Sequence, residues 1–567
     1  MNVMRSLSLR GAGPAALALA AALLPGPAAL AQSPPGERES LETLRQTTLA
    51  LIEALVQSGA ITRERADALL ADARRRAEAA QSSAQAAPPP KAEPPEVRVP
   101  FVPKVVRDQI RNEVRDEVLA RARVERWGVP NATAEWTDRI QIDGDVRVRA
   151  QADRADDGNL LPEQFLIAAA GRNQTRAPDF AASTADGLAT GSTQDDRDRY
   201  RVRARLGVVA KVADNLSAGL RLTTGSTADR VGTNQTLGQN FNKYSFTIDR
   251  AYLRYEPWDW VSLSAGRIAN PFFSTDLVWS ENIGFEGAAV TLRLPAQPAR
   301  ALEPFVTLGY FPSREESPPR KQRTVMGVQA GLQWEASDVL RVRAGIAQYA
   351  MRGFAGREDP DYTLQGPGRS YGQFEYEAGL RQRGNSLFLT NNRLEFQQPG
   401  GLPKDRLRWG LLSAFKPLAV TAAAEFSAFS PVLVQVSGEY VRNTAFDRGE
   451  IFSRTGVDLT DGSPTGYQLR AVIGAQSLRN RGDWQLQLGW RRLGSDAVVD
   501  AFTDGDFGLG GTNMSGYVVG FSYGLERNSN LGLRYLSAQS IDSPTVRPQA
   551  KDRFAVDIYQ LDFNVRF

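Results

Sequence analysis

The stretch Tyr559-Gln-Leu-Asp-Phe-Asn-Val-Arg-Phe567 alternates without a break. Tyr559, Leu561, Phe563, Val565 and Phe567 fall on one face of a strand, and Gln560, Asp562, Asn564 and Arg566 on the other. Successive side chains of a strand point to opposite sides of the sheet, so one face is apolar and the other polar. A soluble domain rarely finishes on a perfectly alternating strand with a terminal aromatic. The stretch is therefore expected to be the closing strand of a transmembrane barrel; the competing reading is an edge strand of a soluble sheet.

The other end of the chain agrees. Arg5 and Arg10 supply a positive region, Ala15 to Leu24 an apolar run, and Ala29-Leu30-Ala31 a small-residue cleavage site, so residues 1–31 read as an export signal and Gln32 as the mature start. The apolar run is too short to span a bilayer. No Cys follows the site, so this is not a lipoprotein signal, and nothing after residue 31 reads as a transmembrane helix.

Composition narrows the function. Mean hydropathy is −0.35, which a barrel with a polar lumen shares with soluble proteins. There are 50 Gly and 9% aromatic residues, suited to tilted strands and interface girdles. The chain has no Cys and no His, which removes disulfides, thiol nucleophiles, His-dependent triads and His–metal sites, including a barrel phospholipase that uses a Ser-His pair. A net charge of +4 against 68 basic and 64 acidic residues, with the basic ones dispersed, gives no argument for nucleic acid.

Three parts follow the signal. Residues 32–80 are expected to be helical: Leu41, Leu44, Thr48, Leu51 and Leu55 occupy a and d positions of a short heptad pattern, Gly59 caps a first helix and Thr62 starts a second. This segment is either a coiled-coil, oligomerising or tethering element in the periplasm or a small hairpin without a partner. Residues 81–103 form a Pro-rich linker. Residues 104–130 read as an amphipathic helix with Val106, Ile110, Val114 and Val118 along one stripe.

From 138 to 567 the pattern becomes strands of roughly ten residues between turns, the signature of an antiparallel barrel. In 199–210, Tyr200, Val202, Ala204, Leu206 and Val208 oppose Arg199, Arg201, Arg203 and Arg205. Trp484, Leu486, Leu488 and Trp490 oppose Gln485, Gln487 and Gly489, with Trp at both ends as two membrane interfaces would select. Alternating short turns and long loops give sixteen strands, with eighteen as the alternative. Counting 406–416 as a further strand would break the alternation.

If the apolar faces meet lipid, alternation sends Arg147, Arg149, Arg201, Arg203, Arg205, Arg221, Arg293, Arg341, Arg343, Arg470, Arg491 and Arg534 to the lumen. A guanidinium-lined pore would favour anions; pairing with acids on neighbouring strands or inward loops would leave little net field. The loop 269–282 carries Asp276 and Glu281 among Phe272, Phe273 and Trp279, and is the best constriction candidate. Folded inward, it would set acid against the Arg wall; left outside, its aromatics would join the outer girdle. The long loop 351–417 is an alternative lid. Gly508 to Gly511 is no phosphate loop, and Asp504 and Asp506 read as solvated loop residues rather than a cation site. No cofactor and no metal site is expected.

Five segments carry a resemblance: 126–136 running into 142–149, 220–226 with 232–238, 248–257, 265-AGRIANPFFSTDLVWSENIGFEG-287, and 500-DAFTDGDFGLGGTN-513. From about Val99 onward the chain resembles the putative porin family of Gram-negative bacteria. The resemblance implies a transmembrane barrel in the outer membrane and passive diffusion of small hydrophilic solutes, without naming a solute. The terminus with Tyr559, Phe563 and Phe567 is similar to the signal read by the barrel-assembly machinery. Outer-membrane lipid and lipopolysaccharide are the other expected partners, and the heptads leave a homotrimer open beside a monomer. Three classes of function remain: a general or anion-leaning porin, a substrate-specific channel for phosphate or another anion, and a structural outer-membrane protein with tethering helices.

Overall fold

The structure, a computed structural model, describes residues 139–160, 174–175, 193–227, 229–294, 301–315, 322–358, 372–377, 379–390, 408–543 and 553–567. The expected export signal, the helical segments 32–80 and 104–130 and the linker lie outside the described residues.

Sixteen antiparallel strands close into a barrel: β1 (Ile140–Ala155), β2 (Arg197–Ala213), β3 (Leu216–Thr223), β4 (Thr247–Trp258), β5 (Val261–Ile268), β6 (Phe285–Arg293), β7 (Leu302–Arg314), β8 (Arg323–Ser337), β9 (Leu340–Arg352), β10 (Pro417–Phe429), β11 (Val432–Asn443), β12 (Thr465–Gly474), β13 (Trp484–Leu493), β14 (Met514–Glu526), β15 (Ser529–Ser540) and β16 (Ala555–Arg566). Each strand pairs with the next, and β16 returns to β1 in a register running from Asp145↔Arg566 to Ala155↔Val556. Closure leaves no strand edge unpaired. The count is sixteen, not eighteen. Among the described residues of 406–416, Trp409–Leu411 forms a strand, and it pairs with Leu387–Leu389 in a small separate sheet that also includes Gln174–Thr175.

At one end, two-residue turns join β2 to β3, β4 to β5, β8 to β9, β10 to β11 and β14 to β15. In the last of these Asn528 takes a φ of +58°, a conformation Asn tolerates and two-residue hairpins demand. At the other end lie the longer loops: L1 (156–196), L2 (224–246), L3 (269–284), L4 (315–322), L5 (353–416), L6 (444–464), L7 (494–513) and L8 (541–554). L6 carries a short helix, α1 (Arg448–Thr455), capped by the Asp447 carboxylate and ended by Gly456 at a φ of +66°.

Alternation sorts the two faces. Val146, Val148, Leu308, Ile346, Val420, Leu488, Phe521 and Leu561 are exposed on the outside, and Trp258 stacks on Trp260 at a short turn. So large a continuous apolar surface is what a hydrocarbon layer covers. The inward residues of β1 and β16 (Arg149, Gln151, Asp153, Gln560, Asp562) are buried and polar.

The hydrophobic core sits in the lumen. Loops L3, L5 and L7 fold onto one side of the inner wall. Phe272, Leu277, Val278 and Trp279 of L3, Phe354, Tyr376, Leu411 and Phe415 of L5, and Val498, Val499 and Phe502 of L7 join Phe285, Phe311 and Tyr349 of the wall in one cluster. That asymmetry leaves the opposite wall, β1 to β3 with β15 and β16, facing open space.

Candidate functional site: the charged lumen

The open wall carries the arginines. Strand register sets them in rows across β2, β1 and β16: Arg201 opposite Arg149 opposite Asp562, Arg203 opposite Arg147 opposite Asn564, and Arg205 opposite Asp145 opposite Arg566. Like charges directly opposite repel, so the rows need interleaved acids. Arg149 clasps Asp562 through Nε at 2.6 Å and Nη2 at 2.8 Å, and reaches Asp506 of L7 through Nη1 at 2.9 Å. Asp145 accepts from Arg203 at 2.7 Å and from Arg205 at 2.5 Å. Arg199 bonds Asp153, Arg221 bonds Asp249, and Arg147 bonds Asn234. Among the described residues, Arg201 makes no ion pair.

This wall lines a polar cavity of about 1100 Å³. Among the described residues, twelve arginines and seven carboxylates line it, an excess of arginine. The acids sit mostly across from the ladder, on L3 (Asp276, Glu281) and L7 (Asp504, Asp506), with Asp229 on L2, while Asp153 and Asp195 lie on the ladder side.

L3 is held inside by its own sequence. The Phe272 ring packs edge-on to Phe285, Phe311 and Tyr349, with the Tyr349 centroid 5.1 Å away. It fits because Gly327 lies beneath it: a Cβ there would come within 2.4 Å of the ring tip. Gln329 exchanges two 2.7 Å hydrogen bonds with the backbone of Phe273, and the carboxylate of Glu439 accepts from Thr275 N at 3.1 Å and Thr275 Oγ1 at 2.5 Å. Asp276 accepts from Gln468 Nε2 at 2.6 Å and lies 3.7 Å from Arg491; Glu281 lies 3.9 Å from Arg470. A second cavity of about 410 Å³ lies against L3, and Asp276, Glu281 and Arg470 line both cavities. The three therefore border both cavities.

L7 brings Asp504 and Asp506 to the same place. Asp504 shares Arg491 with Asp276, at 3.4 Å, and Arg534 reaches Asp506 at 3.4 Å. Burial, together with the neighbouring Asp276 and Asp506 charges, pushes the Asp504 carboxyl up to about 6 against the pull of Arg491 and Arg534. For Asp506 burial acts in the same direction, but the Arg149 and Arg534 charges outweigh it and hold the carboxyl well below the usual range. Asp276 is likewise lowered, burial being overcome by Arg491 and the Gln468 hydrogen bond. The reading of Asp504 and Asp506 as solvated loop residues is corrected: both side chains are bound by guanidinium groups inside the barrel, because L7 folds inward. Among the described residues, no group of three or more acids is placed to hold a metal ion.

The arginines singled out by alternation divide. Arg147, Arg201, Arg203, Arg205, Arg470 and Arg534 line the large cavity. Arg149, with 1% of its side chain exposed, sits behind them in its ion pairs, and Arg491 is clamped between Asp276 and Asp504. Arg221 is paired on β3 with Asp249. Arg343 stacks on Phe273 and Phe305, with its guanidinium 4.3 Å and 5.0 Å from the two ring centroids. Arg293 and Arg341 lie at the short-turn ends of their strands, Arg341 against Glu335 and Glu425. Both are away from the large cavity. Asp145, Asp153 and Asp562 went unremarked as partners, although each falls on the same face as its arginine; Arg383 of L5 had no periodic signal at all. Tyr559 and Phe563 are exposed on the outer face, and Phe567 pairs with Gly144 through two 3.0 Å backbone hydrogen bonds.

An apolar exterior, a closed ladder and a charged, water-accessible interior define a membrane-spanning barrel of the channel type. The chain belongs to the putative porin family, whose profile matches residues 45–567. Family and fold point to a channel rather than an enzyme. No curated protein matches the sequence. Among solved structures the chain is similar to OprB of Pseudomonas putida at high pH (11% identity, 77% of this chain and 96% of that one, TM-score 0.41). It is also similar to the outer-membrane channel DcaP of Acinetobacter baumannii (11%, 76% and 98%, 0.36) and to OmpF of Salmonella typhi in complex with daunomycin (11%, 76% and 99%, 0.37). The assignment rests on the family match.

Proposed function

We propose that this protein is an outer-membrane channel for passive diffusion of small hydrophilic solutes, with a preference for anions. The observation that carries the reading is the surplus of arginine over carboxylate around the large cavity, arranged as a ladder against acidic loops. Inside a low-dielectric wall such a surplus raises the local concentration of anions, and opposed rows of unlike charge orient a passing dipole. Asp276 and Glu281, bordering both cavities, act as the constriction. In this reading the 1–31 signal exports the chain, the Tyr559–Phe567 strand presents it to the assembly machinery, and lipid and lipopolysaccharide contact the outer face. The same loops that narrow the lumen favour a second reading, a channel specific for one class of anion.

The test is the reversal potential of the refolded protein in a planar bilayer under a KCl gradient. The reading expects a chloride-selective potential, displaced toward the cation side by Arg201→Glu. A cation-selective wild-type channel overturns it.

A further inference from the structure

Arg383 is a cationic residue of the lumen that the pairing scheme does not account for. It comes from L5, is 9% exposed and lines the large cavity. Its Nε donates to Gly510 O at 2.8 Å, and one face of the guanidinium lies 4.9 Å over the Phe554 ring. Among the described residues no carboxylate stands within ion-pair distance, and Nη2 is buried with no acceptor. Leaving a buried charged donor unsatisfied is costly, far more so than leaving an exposed one. Asp153, whose charge acts on it from a longer range, is bonded to Arg199 and to Gln151 Nε2. Leu380, Leu509, Phe554 and Val556 add apolar surface to the same lining.

We infer that Arg383 anchors a binding subsite for a small organic anion, a carboxylate carrying an apolar or aromatic body. The carboxylate pairs with the Arg383 guanidinium and the body lies against Phe554 and Val556. The subsite rests on the anion-preferring channel proposed above and adds a saturable stop to it. A guanidinium held by Gly510 and the Phe554 ring keeps its donors oriented before the ligand arrives, so little side-chain freedom is lost on binding. Chloride fills the charge but not the apolar surface.

The experiment is block of single-channel current through the refolded full chain by benzoate, with acetate as the charge-matched control, in KCl. The inference expects saturable benzoate block, at least about tenfold tighter than acetate block, and weakened by about tenfold or more in Arg383→Gln, the loss of one charge-assisted hydrogen-bonded contact. Phe554→Leu should weaken benzoate block while leaving acetate block as it was. Heat-modifiable gel migration shows that each variant is a folded barrel, and Arg383→Lys, which keeps the charge, should recover part of the block. Chloride selectivity without benzoate block, or block equal in wild type and Arg383→Gln, overturns the subsite and leaves the channel reading standing. Cation selectivity in KCl overturns that reading as well.

Discussion

Replacing Phe272 with Ala tests whether L3 is seated by one ring. The side chain is 5% exposed and meets Phe285, Phe311 and Tyr349 edge-on, over a floor opened by Gly327. Truncating a buried Phe costs about 3–5 kcal/mol, the transfer term plus the cavity left behind. The three aromatic edge contacts account for about 0.5–1.5 kcal/mol each within that figure. The Gln329–Phe273, Glu439–Thr275 and Gln468–Asp276 hydrogen bonds remain and keep part of the loop tethered. Because the barrel ladder is untouched, the loss falls on the seated-versus-released equilibrium of L3. A change of about 4 kcal/mol is roughly a thousandfold in that ratio, enough to populate the released loop if the wild-type seat is only a few kcal/mol deep. The assay is single-channel recording. Phe272→Ala should show a larger mean conductance and excess open-channel noise, and Phe272→Leu, which refills most of the space, should lie near wild type. A folded Phe272→Ala barrel with wild-type conductance and noise would refute the seating argument.

Three further outcomes follow from the lumen. Asp504 loses its charge as pH falls through about 6, whereas carboxylates lowered by arginine, such as Asp276 and Asp506, keep theirs. One negative charge therefore leaves the loop side of the cavity on acidification, so chloride preference should rise between pH 7.5 and pH 5, and Asp504→Asn should shrink that step; a step of unchanged size in the variant would assign it elsewhere. Arg201→Glu should displace the reversal potential more than Arg341→Glu does, since Arg341 is 53% exposed at the barrel end, where salt screens it; equal displacements would contradict the cavity assignment. At the seam, a Cβ on Gly144 would stand 2.4 Å from the Phe567 ring and 2.9 Å from Arg205 O. Gly144→Val should then cost about 1–3 kcal/mol by overpacking and lower the temperature of heat-modified migration.

The barrel was legible because a strand with one face to lipid and one to water must alternate, and the barrel strands keep that alternation between their register shifts. Alternation also placed Arg147, Arg201, Arg203 and Arg205 on the inner face. It said nothing about which acid meets which arginine: Arg149 and Asp562 are at opposite ends of the barrel sequence, and only closure of β16 on β1 makes them neighbours. The inward fold of L7 was not legible either, and that of L5 was suggested by its length alone, since loop segments have no period to reveal a buried face. The aromatics of L3 were open to two readings, and Gly309 and Gly327, on β7 and β8, are what receive Phe272 inside. Arg383 stayed invisible for the same reason: a lone arginine in a long loop becomes notable only when its neighbours are seen to include no acid.

The most direct measurement is the zero-current potential of the refolded protein across a planar bilayer with a tenfold KCl gradient, recorded together with its single-channel conductance. An open, ohmic channel with a potential on the chloride side is the predicted result, moving toward zero in Arg201→Glu. A folded barrel that conducts nothing, or one that prefers potassium, would contradict the account of the arginine ladder as the feature that selects the solute.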